Sequence, residues 1–96
     1  MTVHVLLEFK VSPQRRNEAV RLFRELLPST RAFAGCKRVT GHLDQADGTI
    51  LLIEEWESKE HQQKYLAWRM TTEHGKQLIA LLDAPPALHF YDPLDV

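Results

Sequence analysis

A single cysteine, four glycines and no long hydrophobic run mark what this 96-residue chain has little of. Cys36 alone excludes an internal disulfide framework and any zinc site built on cysteines. The opening stretch carries His4, Glu8 and Lys10, which fits neither a secretory leader nor a membrane span. Twelve basic residues against thirteen acidic ones leave a net charge of −1, so no electrostatic footprint for DNA or RNA is present. Glycine-rich phosphate loops, a Ser-His-Asp order and a flavin fingerprint are all missing. His4, His42, His61, His74 and His89 are scattered, with no pair at i, i+2 or i, i+4, so no metal site is expected. These absences predict a cytoplasmic domain that works without nucleic acid, membrane, metal or flavin.

What is there is an ordinary globular composition, 44% hydrophobic and 26% charged. The length allows one domain, residues 1–96. Area scaling gives roughly 5,700 Å² of folded surface against about 16,000 Å² for the open chain, a real but thin core. Val3, Val5, Leu7, Phe9 and Val11 alternate with His4, Leu6, Glu8 and Lys10, which predicts a first strand with one wholly apolar face. Ser12-Pro13 supplies a helix start, with Ser12 as N-cap. Ala19, Phe23, Leu26, Leu27, Thr30 and Phe33 then form an amphipathic stripe across residues 13–34. Pro28 is expected to kink that helix or end its first segment. Lys37–Asp44 and Thr49–Glu57 read as an antiparallel hairpin across a turn ending at Gly48. Ser58 caps a further helix through Tyr65, Leu66 and Trp68, a second helical stretch covers Thr71–Leu82, and Pro85-Pro86 stops it. Ala87–Asp92 fits a closing strand.

The order β-α-β-β-α-β predicts a ferredoxin-like α+β fold, a four-stranded antiparallel sheet with helices on one face. Leu51 and Ile53 oppose Ile50 and Leu52, so the uncovered face also needs a dry partner. A homodimer with facing sheets is the simplest cover.

Several segments carry a resemblance: the first strand ending Lys10-Val11-Ser12-Pro13; Arg31-Ala-Phe-Ala-Gly-Cys36; Leu52-Ile-Glu-Glu-Trp-Glu-Ser58; Tyr65-Leu-Ala-Trp-Arg69; His74-Gly75; and Pro85-Pro86. In their order and spacing the chain resembles the antibiotic biosynthesis monooxygenase family of the dimeric α/β-barrel superfamily. The resemblance covers nearly the whole chain, and its most specific part is the strand ending in Glu54 and Trp56 followed by a capped helix. It implies a homodimer and oxidation of a quinol, anthrone or similar enolisable aromatic by dioxygen, with no cofactor. Other members degrade haem, isomerise small molecules or have no assigned reaction. Haem degradation is disfavoured, because the first strand lacks an asparagine and Lys64 stands where a tryptophan is needed before His74. Many members carry a histidine nine residues after the strand tryptophan, and this chain has Tyr65 there.

Oxygenation without a cofactor needs an aromatic wall, donors aimed at an oxyanion, and a base of matched pKa. Trp56 is the candidate wall, Tyr65, Trp68 and Arg69 the candidate substrate-binding residues, and Glu54, His4 or His89 the candidate base. Each has a plainer reading. Trp56, Tyr65 and Trp68 can be core packing, Arg69 an ion-pairing surface residue, and Glu54 half of a buried ion pair. Cys36 reads as a small buried residue. The rivals to an oxygenase are a non-catalytic ligand-binding or stress-response domain and an isomerase of the same fold.

Overall fold

The computed structural model describes residues 2–96. Four strands, β1 (Val3–Phe9), β2 (Cys36–Leu43), β3 (Ile50–Trp56) and β4 (Ala87–Tyr91), form one antiparallel sheet in the order β2-β3-β1-β4. Three helices, α1 (Arg16–Ala32), α2 (Lys59–Arg69) and α3 (Glu73–Leu81), complete the expected ferredoxin-like α+β arrangement. Period-two alternation sends Val5, Leu7 and Phe9 of β1 and Ile50, Leu52, Glu54 and Trp56 of β3 to one buried face. There they meet Ala19, Leu22, Phe23, Leu26, Leu27 and Thr30, the buried stripe of α1. Phe9 and Phe23 seal this contact edge to face, with ring centroids 5.2 Å apart.

Local chemistry sets the boundaries. Residues 44–48 turn as expected, with Gly48 at φ +75° and its N–H donating to the Asp44 carbonyl. Ser58 accepts from the His61 N–H and starts α2. Thr72 accepts from the Gly75 N–H and starts α3, which separates the two helical stretches.

Ser12 is the N-cap residue and Pro13 opens the helical turn, as expected. Ser12 holds an extended backbone before a short 3₁₀ turn, Pro13–Arg15, but its side chain makes no capping hydrogen bond. Only its carbonyl serves the turn, accepting from the Arg15 N–H at 3.0 Å. Pro28 does not end the helix, since α1 runs through it to Ala32. The carbonyl that Pro28 leaves unserved belongs to Arg24, on the exposed side, where water can satisfy it. The apolar stripe on the other side stays packed without a break.

Candidate active site

The helices do not close fully on the sheet. A cavity of about 250 Å³ remains between them, walled by Leu7, Leu52 and Leu88 from the sheet, Phe23 and Leu26 from α1, and Leu78 from α3. Met70 and Ile79, each 43% exposed, also line it, so it reaches the surface. Into this apolar space come three polar side chains, Glu54 from β3 and Tyr65 and Arg69 from α2.

Glu54 is 1% exposed. Its Oε1 accepts a 2.8 Å hydrogen bond from the Trp56 indole N–H, and its Oε2 has no partner among the described residues. Burial penalises the charged form and pushes the carboxyl pKa up to about 7, the Trp56 hydrogen bond acting weakly the other way. Such an acid changes protonation state near neutrality, where proton transfer to and from a substrate is most effective.

Arg69 is buried, not a surface ion-pairing residue. Its Nε donates to the Tyr65 hydroxyl at 2.9 Å, and Nη2 reaches the Leu26 carbonyl at 2.9 Å, Ser29 Oγ at 2.7 Å and Thr30 Oγ1 at 3.1 Å. The Tyr65 and Thr30 hydroxyls are themselves in close hydrogen-bond contact. One end of α1 is thus tied to one face of α2 through a guanidinium.

The structure divides the other candidates. Trp56 is wholly buried and does not line the cavity; it stacks near Tyr65, at 5.3 Å between centroids, and holds Glu54 from behind. Trp68 is 39% exposed, packs on Phe33 and lies 4.7 Å from the Arg69 guanidinium, outside the cavity lining. His4 and His89 do not line this cavity. In the sheet register His4 pairs with Glu55 and Tyr91, and His89 with Leu6, which places both on the face opposite Glu54. Cys36 is half-buried, and burial, then the Glu54 charge, raises its thiol pKa, so it is not an activated nucleophile. Among the described residues no three His, Cys, Asp or Glu side chains lie together as metal ligands.

Sequence reasoning misses Ser29 and Thr30 as partners of Arg69, and Gln62 as a buried polar residue of α2. Gln62, Tyr65 and Arg69 stand at i, i+3 and i+7 and are the buried residues of α2. A polar stripe at helical spacing, facing a polar residue inside the apolar stripe of α1, is the signal that points to them.

A ferredoxin-like sheet with a cavity under its helices, lined by a buried acid and a buried guanidinium, makes this the candidate small-molecule site. The sequence profile of the family described as antibiotic biosynthesis monooxygenase matches residues 2–77, and the chain belongs to that family. No curated protein matches it. Its fold is similar to that of SnoaB, a cofactor-independent oxygenase from Streptomyces nogalater, solved as a point mutant. The TM-score is 0.81 at 18% identity, over 99% of this chain and 95% of that one. It is also similar to Rv0793 from Mycobacterium tuberculosis, with TM-score 0.78 and 24% identity over 100% and 98% of the two chains. PA3566 from Pseudomonas aeruginosa matches with TM-score 0.76 and 22% identity, over 97% and 94%. No helix of the described residues is long and apolar enough to cross a membrane.

Proposed function

We propose that this protein is a monooxygenase that oxidises a quinol, anthrone or related enolisable aromatic with dioxygen and needs neither metal nor flavin. The observation that carries this reading is Glu54: a carboxyl in an apolar cavity, with one oxygen unpartnered among the described residues and a pKa of about 7. The Glu54 carboxylate takes a proton from the substrate's hydroxyl or activated carbon. The resulting anion is stabilised by the guanidinium of Arg69, a residue that lines the same cavity. That anion gives one electron to dioxygen, and the radical and superoxide combine at carbon. A methylene oxidised in this way forms a hydroperoxide, which loses water to leave a carbonyl. Membership of the family and the fold shared with a cofactor-independent oxygenase support the same chemistry.

The reading includes a homodimer. Leu6, Leu51 and Ile53 lie on the sheet face that the helices leave open, beside His4, His89 and Thr40. The accessible surface of the single chain, 6196 Å², exceeds the roughly 5,700 Å² typical of its mass, which supports a covered face. The lone cysteine supports action in the cytoplasm.

Oxygen uptake against a panel of quinols and anthrones tests the activity. Uptake that depends on Glu54 supports it. Ligand binding without uptake by any substrate makes the domain a binding module, and conversion without oxygen consumption makes it an isomerase.

A further inference from the structure

Of the residues that line the cavity only Met70 and Ile79 are exposed; Leu66, Pro86 and Leu88 are half-buried and the rest are buried. The way in from solvent therefore passes Met70, at the C-terminal end of α2, and Ile79, on α3.

The backbone beside this opening is held from several sides. The Met70 N–H donates to the Leu66 carbonyl at 3.0 Å. Thr71 gives both its N–H and its hydroxyl to the Trp68 carbonyl, at 2.9 and 2.6 Å. Thr72 does the same to the Arg69 carbonyl, at 3.0 and 2.7 Å. Gly75, in the first turn of α3, lies so close to that same carbonyl that no Cβ would fit between them. The joint of residues 70–72 between the two helices is thus tied at every step, and it does not work as a hinge.

The freedom at the mouth lies in one side chain. Ile79 is β-branched and, on a helix, is held near a single χ1 rotamer, while the ring of Pro86 is fixed. Leu66 and Leu88 pack against the core. Met70 is unbranched, with three rotatable bonds and a polarizable thioether that suits the edge of an aromatic ring. Its rotamer therefore sets how wide the opening is.

We propose that Met70 is a specificity-determining residue: its side chain gates the cavity, and how far that chain can swing limits the width of the ring system that enters. The proposal rests on the cavity being a small-molecule site, and on the oxygenase reading only for the choice of aromatic probes. A gate changes the barrier to passage and not the free or bound state. It therefore alters association and dissociation rates by the same factor and leaves Kd in place. A residue that only touches the bound ligand acts on the dissociation rate, and Kd follows it.

Stopped-flow fluorescence of the purified protein under nitrogen, with 2-naphthol and with the broader 9-phenanthrol, reads both rates. Met70→Ala should speed entry and exit of phenanthrol by about tenfold, a barrier lower by about 1.4 kcal/mol, and those of naphthol by less. Met70→Leu removes a rotatable bond at similar volume and should slow both rates for phenanthrol. Equilibrium titration should leave the Kd of each probe close to the wild-type value. Rates equal to wild type in both variants overturn the proposal, as does an equal response of the two probes. Faster exit with unchanged entry also overturns it, because Met70 would then be a wall of the bound ligand. Failure of both probes to bind overturns it as well. Circular dichroism checks that the variants fold, and Met70→Leu decides if Met70→Ala does not. Parallel rate changes with no oxygen uptake from any substrate keep the gate and remove the oxygenase. Turnover of quinols with unaltered rates does the reverse.

Discussion

The indole N–H of Trp56 donates to Glu54 Oε1 at 2.8 Å, two residues away on the same face of β3. Among the described residues this bond is the only one the Glu54 side chain makes, and it leaves the buried Oε2 without a partner. Trp56 holds the acid from the core side and is not part of the cavity lining.

Glu54→Gln should suppress oxygen-dependent turnover by about 10²–10⁴-fold, the usual worth of a positioned proton acceptor. It should not cost the several kcal/mol expected from breaking a buried ion pair, because Glu54 has no cationic partner among the described residues. Thermal melting and oxygen-electrode kinetics on the same variant check both halves.

The raised pKa sets the pH dependence. In the unfolded chain Glu54 loses its proton near 4.5, and in the folded protein at about 7, so between these values the folded state holds more protons. Stability from this group is therefore full below about pH 4.5 and falls as pH rises to 7, by on the order of 3 kcal/mol. Denaturant melts at about pH 5 and about pH 8 should show that fall in the wild type and lose most of it in Glu54→Gln. Activity should move the other way, with kcat/KM rising through about pH 7 as the base becomes ionised.

Trp56→Phe keeps a ring in the core and removes the donor to Glu54. The charged carboxylate loses its one hydrogen bond, so the rise in kcat/KM should shift to higher pH. Stability should fall by about 1–3 kcal/mol, from lost packing and an orphaned acceptor. A pH profile identical to that of the wild type would show that the bond does not tune the acid.

Gly75→Ala should destabilise the protein although the residue is helical. A Cβ there would collide with the Arg69 carbonyl, so α3 or the end of α2 must move. Overpacking of this kind costs about 1–3 kcal/mol. Because Arg69 lines the cavity, the affinity for any ligand should fall together with Tm.

Ile53→Glu places a charge on the open sheet face, where Ile53 sits 36% exposed between Leu6 and Thr40 in the strand register. Sedimentation at micromolar concentration should give a dimer for the wild type and a monomer for the variant. Circular dichroism should show the same secondary structure in both. A monomeric wild type would remove the homodimer.

Alternation in β1 and β3, the Gly48 turn and the Ser58 cap are local signals, readable from residue types at fixed spacing, and they lead to the element order and hence the fold. The face shared by Glu54 and Trp56 is legible in the same way, because a strand's period of two follows from backbone geometry alone. Which neighbour each side chain meets is another matter. In the sequence Arg69 is a substrate-binding candidate whose plainer reading is a surface or ion-pairing residue, and only the packing of α1 against α2 brings Leu26, Ser29 and Thr30 onto one guanidinium. As bases, His4 and His89 are equivalent to Glu54 until the strand register puts them across the sheet from it. Periodicity assigns a residue to a face, but a site joins residues far apart in the chain. Burial and the pKa of Glu54 depend on those long-range contacts, which exist only once the helices have docked.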